Sequence, residues 1–179
     1  MMTTADYLAT PETVRPAELA YGVLRVADAP AVRHQRVVRE LTIRLSALTT
    51  ERGLGEILPA PSDVVLDRDL HLVVQPDVLF VSAARRRIVG DRVEGPPDLA
   101  IEVLSPNPRV GTVEEKVTWF ARYGVRECWL VDLTRRQIAV LTFGDGHVSG
   151  RAVFDSEEPI RSGVLEGLSL RPADVLGWW

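Results

Sequence analysis

Between Val32 and Leu48 the side chains of His34, Val37, Val38, Leu41, Leu45 and Leu48 recur at helical spacing, while Arg33, Arg36, Arg39 and Arg44 point away. That stripe predicts an amphipathic helix over 32–48 with a solvated arginine face. Short runs rich in Val, Leu and Ile, bounded by Gly, Pro and Asp, predict strands at 56–59, 63–66, 72–74, 77–82, 98–104, 127–133, 137–143 and 147–154. A second helix is expected over 112–123. Thr112 followed by Glu115 reads as a capping box at its start, and Gly124 supplies its stop. Ahead of these, a short helix is expected around 4–8 and a strand around 18–26.

A helix, a series of strands, a further helix and more strands describe an α/β (α+β) domain built on a mixed sheet. The 179 residues, 46% of them hydrophobic, suffice for one well-buried core, so a single domain over 1–179 is expected, with 1–30 as an N-terminal extension. The net charge of -4 argues against a generally basic nucleic-acid-binding surface and leaves room for a local cleft. A lone cysteine, Cys128 in the apolar run CWLV, excludes an internal disulfide and a thiolate metal cluster. The chain carries neither a membrane-length apolar stretch nor a signal-peptide pattern, so a cytoplasmic protein without a membrane partner is expected.

Among the 21 basic residues Lys116 is the one lysine, and the others are arginine. On the helix at 112–123 it shares an arc with Val113, Val117, Phe120 and Tyr123, opposite Glu114, Glu115, Thr118 and Arg122. The lysine therefore points inward. Either its stem covers apolar surface while its head reaches water, or a buried ammonium is paired and used. The nearby acids decide between them. In DLAIEVL, alternation sets Leu99, Ile101 and Val103 on one face and Asp98, Ala100, Glu102 and Leu104 on the other. In QPDVLFV, Asp77 opens an apolar strand directly after Pro76. Two carboxylates suit a hard cation such as Mg2+, which takes oxygen ligands and keeps water and phosphate in its shell. Asp77 and Glu102 are the candidate metal ligands, and Lys116 the ammonium that orients a water or offsets charge.

PDVLFV, then GPPDLAIEVLSP, then EEKVTWFARYGVRECWLVD together resemble the Uma-type family of endonucleases, within the PD-(D/E)XK superfamily of restriction-endonuclease-like folds. The match runs from about Glu18 to Phe143, and its most specific blocks span Pro76 to Asp132. The resemblance implies a mixed sheet flanked by helices and metal-dependent hydrolysis of a DNA phosphodiester. It places the family's Pro-Asp acid on Asp77 and its strand acid on Glu102. Two positions depart from the pattern. The superfamily's usual lysine stands two residues after the strand acid, where this chain has Leu104, and the family resemblance relocates it to Lys116. Thr112 stands where relatives commonly carry an acid.

Glu18 and His34 are secondary candidates. Glu18 resembles an acid of the family's N-terminal strand, which extends the metal shell or is a plain surface acid. His34 is a satisfied core residue, or a ligand or base. Asp98 is a second acid near the site or a strand cap, Asp132 a turn acid, and the run Arg85 to Arg87 a solvated loop or a phosphate contact. His71 and His147 carry no supporting pattern. The expected activity is a Mg2+-dependent endonuclease acting on DNA through Asp77, Glu102 and Lys116, with Mn2+ able to substitute. The alternative is a non-catalytic scaffold on the same fold. A homodimer is expected because two strands are cut most simply by two sites, and Gly177, Trp178 and Trp179 either pack on the partner or close the chain's own core.

Overall fold

The computed structural model describes residues 1–11, 16–104 and 112–177. The partner contact expected through Trp178 and Trp179, and most of the loop SPNPRVGT, lie outside them. The chain runs α1 (Thr4–Leu8), β1 (Ala17–Ala20), β2 (Val23–Val26), α2 (Val32–Arg52), β3 (Gly55–Pro59), β4 (Val64–Asp67) and β5 (Leu72–Val74). It continues through β6 (Val78–Ser82), a 3-10 turn (Ala83–Ile88), β7 (Val93–Glu94), β8 (Leu99–Leu104), α3 (Val113–Tyr123), β9 (Glu127–Asp132), β10 (Gln137–Gly144), β11 (His147–Asp155) and α4 (Pro172–Val175).

Two mixed sheets form. One has the order β2-β1-β5-β4-β7 and the other β11-β10-β9-β8-β6-β3. In the larger sheet β8 and β9 are parallel, and α3 is the crossover between them. Leu99, Ile101 and Val103 pack with Val37, Val38, Leu41 and Leu45 of α2 and with Ile160, Leu165 and Leu170 of the C-terminal segment. Across the same sheet, Leu79, Val81, Ala100 and Cys128 meet Phe120 and Trp119 of α3 and Val64, Leu72 and Val74 of the smaller sheet. The alternation along β8 thus separates two apolar layers. A charged residue on the second face, such as Glu102, is carried into the space between the sheets and α3.

α2 runs four residues beyond the expected stop. It ends where Gly53 turns left-handed at φ 63° and its N–H meets the carbonyls of Thr49 and Thr50. α3 starts with the reciprocal Thr112–Glu115 capping box and ends at Gly124, φ 88°. Its buried set also includes Trp119 and Ala121, so the inward arc is wider than the one containing Lys116 and Phe120. The one strand expected over 18–26 is instead a hairpin. Tyr21 (φ 49°) and Gly22 (φ 81°) turn the chain back, with both central residues at the positive φ that a primed hairpin turn uses. β1 then pairs with β2 on one side and β5 on the other, which places residues 17–26 inside the smaller sheet.

Candidate active site

Four elements deliver charged groups to one region. β8 carries Glu102, α3 carries Lys116, β1 carries Glu18, and Asp77 stands immediately before β6. The register between β6 and β8 pairs Val78 with Ile101 and Leu79 with Ala100. Continued one step beyond its last pair, this antiparallel ladder would set Asp77 opposite Glu102. Directly opposed residues of such a ladder hold their Cβ atoms about 5 Å apart, and like charges so placed repel. The Val103 N–H donates to Asp77 Oδ2 at 2.7 Å, which binds the carboxylate to β8 beside Glu102.

Lys116 answers both neighbouring acids. Its Nζ lies 2.7 Å from Glu102 Oε1 and 2.9 Å from Glu18 Oε1. The lysine is 8% exposed, Glu102 9% and Glu18 4%, so the snorkelling alternative does not describe this side chain. Glu102 Oε1 meets the ammonium closely, and among the described residues no other hydrogen-bond donor reaches it. Burial opposes the charge on Lys116, yet the Glu102 and Glu18 carboxylates outweigh it and hold its proton well above the ordinary lysine value. Burial also pushes the Glu102 carboxyl up. The ammonium opposes this, Asp77 and Glu18 reinforce it, and the net result is a value of about 8.

Asp77 Oδ2 also lies 3.2 Å from His34 Nε2 near the start of α2. The other ring nitrogen of His34 is buried without a hydrogen-bond partner, so this is neither a fully satisfied core histidine nor a solvent-facing one. Glu18 Oε1 accepts the Gln75 N–H at 2.9 Å. Gln75 was not among the residues singled out in the sequence, although it stands in the quoted QPDVLFV. Its signal is its place two residues before Asp77.

The remaining candidates lie elsewhere. Asp98 begins the same strand from its far end and takes the Ser82 N–H at 2.8 Å, Arg126 at 3.3 Å and Arg85 at 3.5 Å. Burial alone would raise its carboxyl, but the Ser82 bonds and the two arginines hold it below the usual range. Arg85 is thereby tied to the fold and not free in a solvated loop, whereas Arg86 and Arg87 are exposed. Asp132 accepts the N–H groups of Thr134 and Arg135 in the turn after β9. His71 Nδ1 lies 3.3 Å from the Thr4 N–H, where α1 meets the β4–β5 turn, and His147 is exposed.

Among the described residues no group of three or more His, Cys, Asp or Glu side chains is placed to hold a metal ion. The donor set does fit a hard cation that needs one or two carboxylates and completes its shell with water and phosphate. Glu102 and Glu18 meet the Lys116 ammonium, while Asp77 meets His34 and the Val103 N–H on the neighbouring strand. The excess negative charge is what a divalent ion would offset.

A family model, Uma2, described as "Putative restriction endonuclease", matches residues 4–173. The chain belongs to this Uma2 family. The fold is also similar to that in a crystal structure described as a "putative nuclease belonging to DUF820" from Anabaena variabilis ATCC 29413. Identity is 18%, the match covers 98% of each chain, and the TM-score is 0.83. That likeness establishes the mixed α/β architecture. No curated protein matches the chain. In this chain the two sheets and α3 bring together Glu102 of β8, Glu18 of β1 and Lys116, with Asp77 immediately before the neighbouring β6. No helix among the described residues is long and apolar enough to cross a membrane.

Proposed function

We propose that this Uma2-family chain hydrolyses DNA phosphodiester bonds with the help of a divalent cation, Mg2+ or Mn2+ in its place. The observation that carries this reading is the cross-strand placement of Asp77 and Glu102 around an acid cluster whose one ammonium is Lys116. Asp77 and Glu102 would hold the ion. When bound, it would supply a Lewis acid for the phosphoryl oxygens and lower the pKa of an attached water.

The chain's own groups have distinct parts. The Val103 N–H fixes Asp77 in orientation, and His34 meets the same oxygen. The β8–β9 ladder fixes the backbone of Glu102. Lys116, kept protonated by Glu102 and Glu18, provides a fixed positive charge. Such a charge can orient an attacking water and offset the charge that grows on the phosphate in the transition state. A preorganised cation in a nearly dry setting is worth more than one in water, because the low effective dielectric strengthens its field.

One observation favours a second reading, a nuclease fold kept for binding. The ammonium already neutralises much of the charge on Glu102 and Glu18, as a purely structural buried ion pair would. Plasmid cleavage separates the two. With Mg2+ or Mn2+, wild type is expected to cut and Glu102→Ala to lose that activity. Equal cleavage by both proteins would reject the assignment of Glu102. Absence of divalent-ion binding by wild type in calorimetry would favour the scaffold. A homodimer belongs to the same proposal, since each site would address one strand of the duplex, and sedimentation of the full chain tests it.

A further inference from the structure

Gln75 makes three hydrogen bonds around Glu18. Its backbone N–H donates to Glu18 Oε1 at 2.9 Å. Its side-chain Oε1 accepts the N–H of Ala17, the residue before Glu18, at 3.1 Å. Its Nε2 donates to Asp63 Oδ1 at 2.8 Å. The β1–β5 ladder pairs Leu19 with Val73 and Ala20 with Leu72. Continued by two residues, that register would bring Ala17 opposite Gln75. The side-chain amide thus takes over at the point where the backbone ladder stops.

Asp63, the far anchor of that amide, is itself held. Arg92 Nε lies 2.9 Å from its Oδ2, and the Tyr7 hydroxyl lies 3.0 Å from its Oδ1 and 2.7 Å from the Ala17 carbonyl. Burial, reinforced by the Asp63 charge, raises the Tyr7 hydroxyl above its ordinary value, so it remains a donor. These groups line one wall of a cavity of about 650 Å3. They clamp Ala17 from both its N–H and its C=O. A primary amide suits the position because it accepts from one neighbour and donates to the other, which neither a carboxylate nor an alkyl group does.

We propose that Gln75 is a positioning residue: its amide holds β1 against the Pro76–Asp77 corner, which sets where Glu18 meets Lys116 and so where the ammonium stands beside Glu102. Its consequence for metal binding rests on the nuclease reading, while its effect on Lys116 does not. A purely structural amide would lower the melting temperature and leave the ammonium of the folded protein unmoved.

Lys116 is the one lysine, so labelling with 15N-lysine yields a single Nζ signal that reports on this contact alone. In folded Gln75→Leu, that signal is expected to shift and its protons to exchange at least about tenfold faster, as expected when a supporting hydrogen bond is lost. Mn2+ affinity measured by calorimetry is expected to weaken about 10-fold or more. Gln75→Glu sets two carboxylates against each other and is expected to displace the signal as well. Gln75→Glu combined with Asp63→Asn keeps one amide and one carboxylate in exchanged places, and is expected to return the signal toward its wild-type position. If Gln75→Leu does not fold, the exchanged pair and the single Gln75→Glu variant decide.

An unmoved Nζ signal in a folded single variant, or no recovery in the exchanged pair, overturns the inference. Should wild type bind no Mn2+ while the signal still responds to Gln75, the nuclease reading fails and the positioning role stands. Should wild type bind Mn2+ while Gln75→Leu alters neither signal nor affinity, the positioning role alone fails.

Discussion

Lys116 Nζ and Glu102 Oε1 stand 2.7 Å apart, joining the crossover helix to the strand that it follows, at a place where both side chains are almost wholly buried. A charge so placed is tolerated because it is paired. Glu18 completes the pairing from the other sheet at 2.9 Å. The contact therefore joins α3 to both sheets, and its loss has consequences for stability as well as for the proposed chemistry.

Lys116→Met is expected to destabilise the fold by about 3–5 kcal/mol, because it leaves the buried Glu18 carboxylate without its cation and Glu102 without its partner. Adding Glu102→Gln to that variant should recover part of the loss, since one of the unpaired charges is then removed. Urea unfolding of the two singles and the double measures the coupling, expected at about 1–3 kcal/mol. Cleavage by Lys116→Met is expected to fall about 100- to 1,000-fold, the scale of a lost preorganised charge.

Glu102 imposes a pH dependence of definite sign. Its folded value of about 8 stands above the free carboxyl value of 4.5, so between the two the folded state binds more protons than the unfolded. Stability of the metal-free protein is therefore expected to fall as pH rises through that window, by at most about 1.4 kcal/mol per pH unit. Glu102→Gln should lack this slope. Denaturant midpoints measured in the presence of a chelator from about pH 5 to about pH 8 compare the two. A wild-type midpoint that rises across the same range relative to Glu102→Gln would contradict the assignment.

Glu127 is a buried acid with a different task. Its carboxylate takes the Trp129 indole N–H, the Ser162 hydroxyl and the Gly163 N–H, each at 2.7 Å, and ties the C-terminal segment to β9. Glu127→Ala strands these donors and is expected to cost at least about 3 kcal/mol. Hydrogen exchange should accelerate at Gly163, and the Trp129 indole N–H resonance should shift. Mn2+ binding should remain as in wild type, which separates this acid from the candidate site.

Parts of this arrangement are legible in the chain because they depend on local periodicity. An acid on the alternate face of an apolar strand, and a lysine on the inner arc of an apolar helix, are conflicts that can be seen without knowing what lies opposite. That is how Glu102 and Lys116 stand out. Glu18 stands out only through the family resemblance and Gln75 not at all, because their meaning depends on a Tyr21–Gly22 turn and on β1 pairing with a strand more than fifty residues away. Glu127 resembles a polar residue at a strand start. Only the return of the segment around Ser162 and Gly163 makes it a buried anchor.

The sequence by itself determined the two long helices and most of the strands, though not the hairpin at 17–26, β7 or α4, and it showed acids and one lysine set among apolar positions. It carried the family in the ordered blocks from Pro76 to Asp132. Tertiary structure decided partnership: the β6–β8 register that opposes Asp77 and Glu102, the two carboxylates that share one ammonium, and the amide that spans from β1 to Asp63. The division follows from physics. Periodicity is set by backbone geometry within a few residues, whereas the energy of a buried charge is set by whichever distant groups the fold brings within about 4 Å.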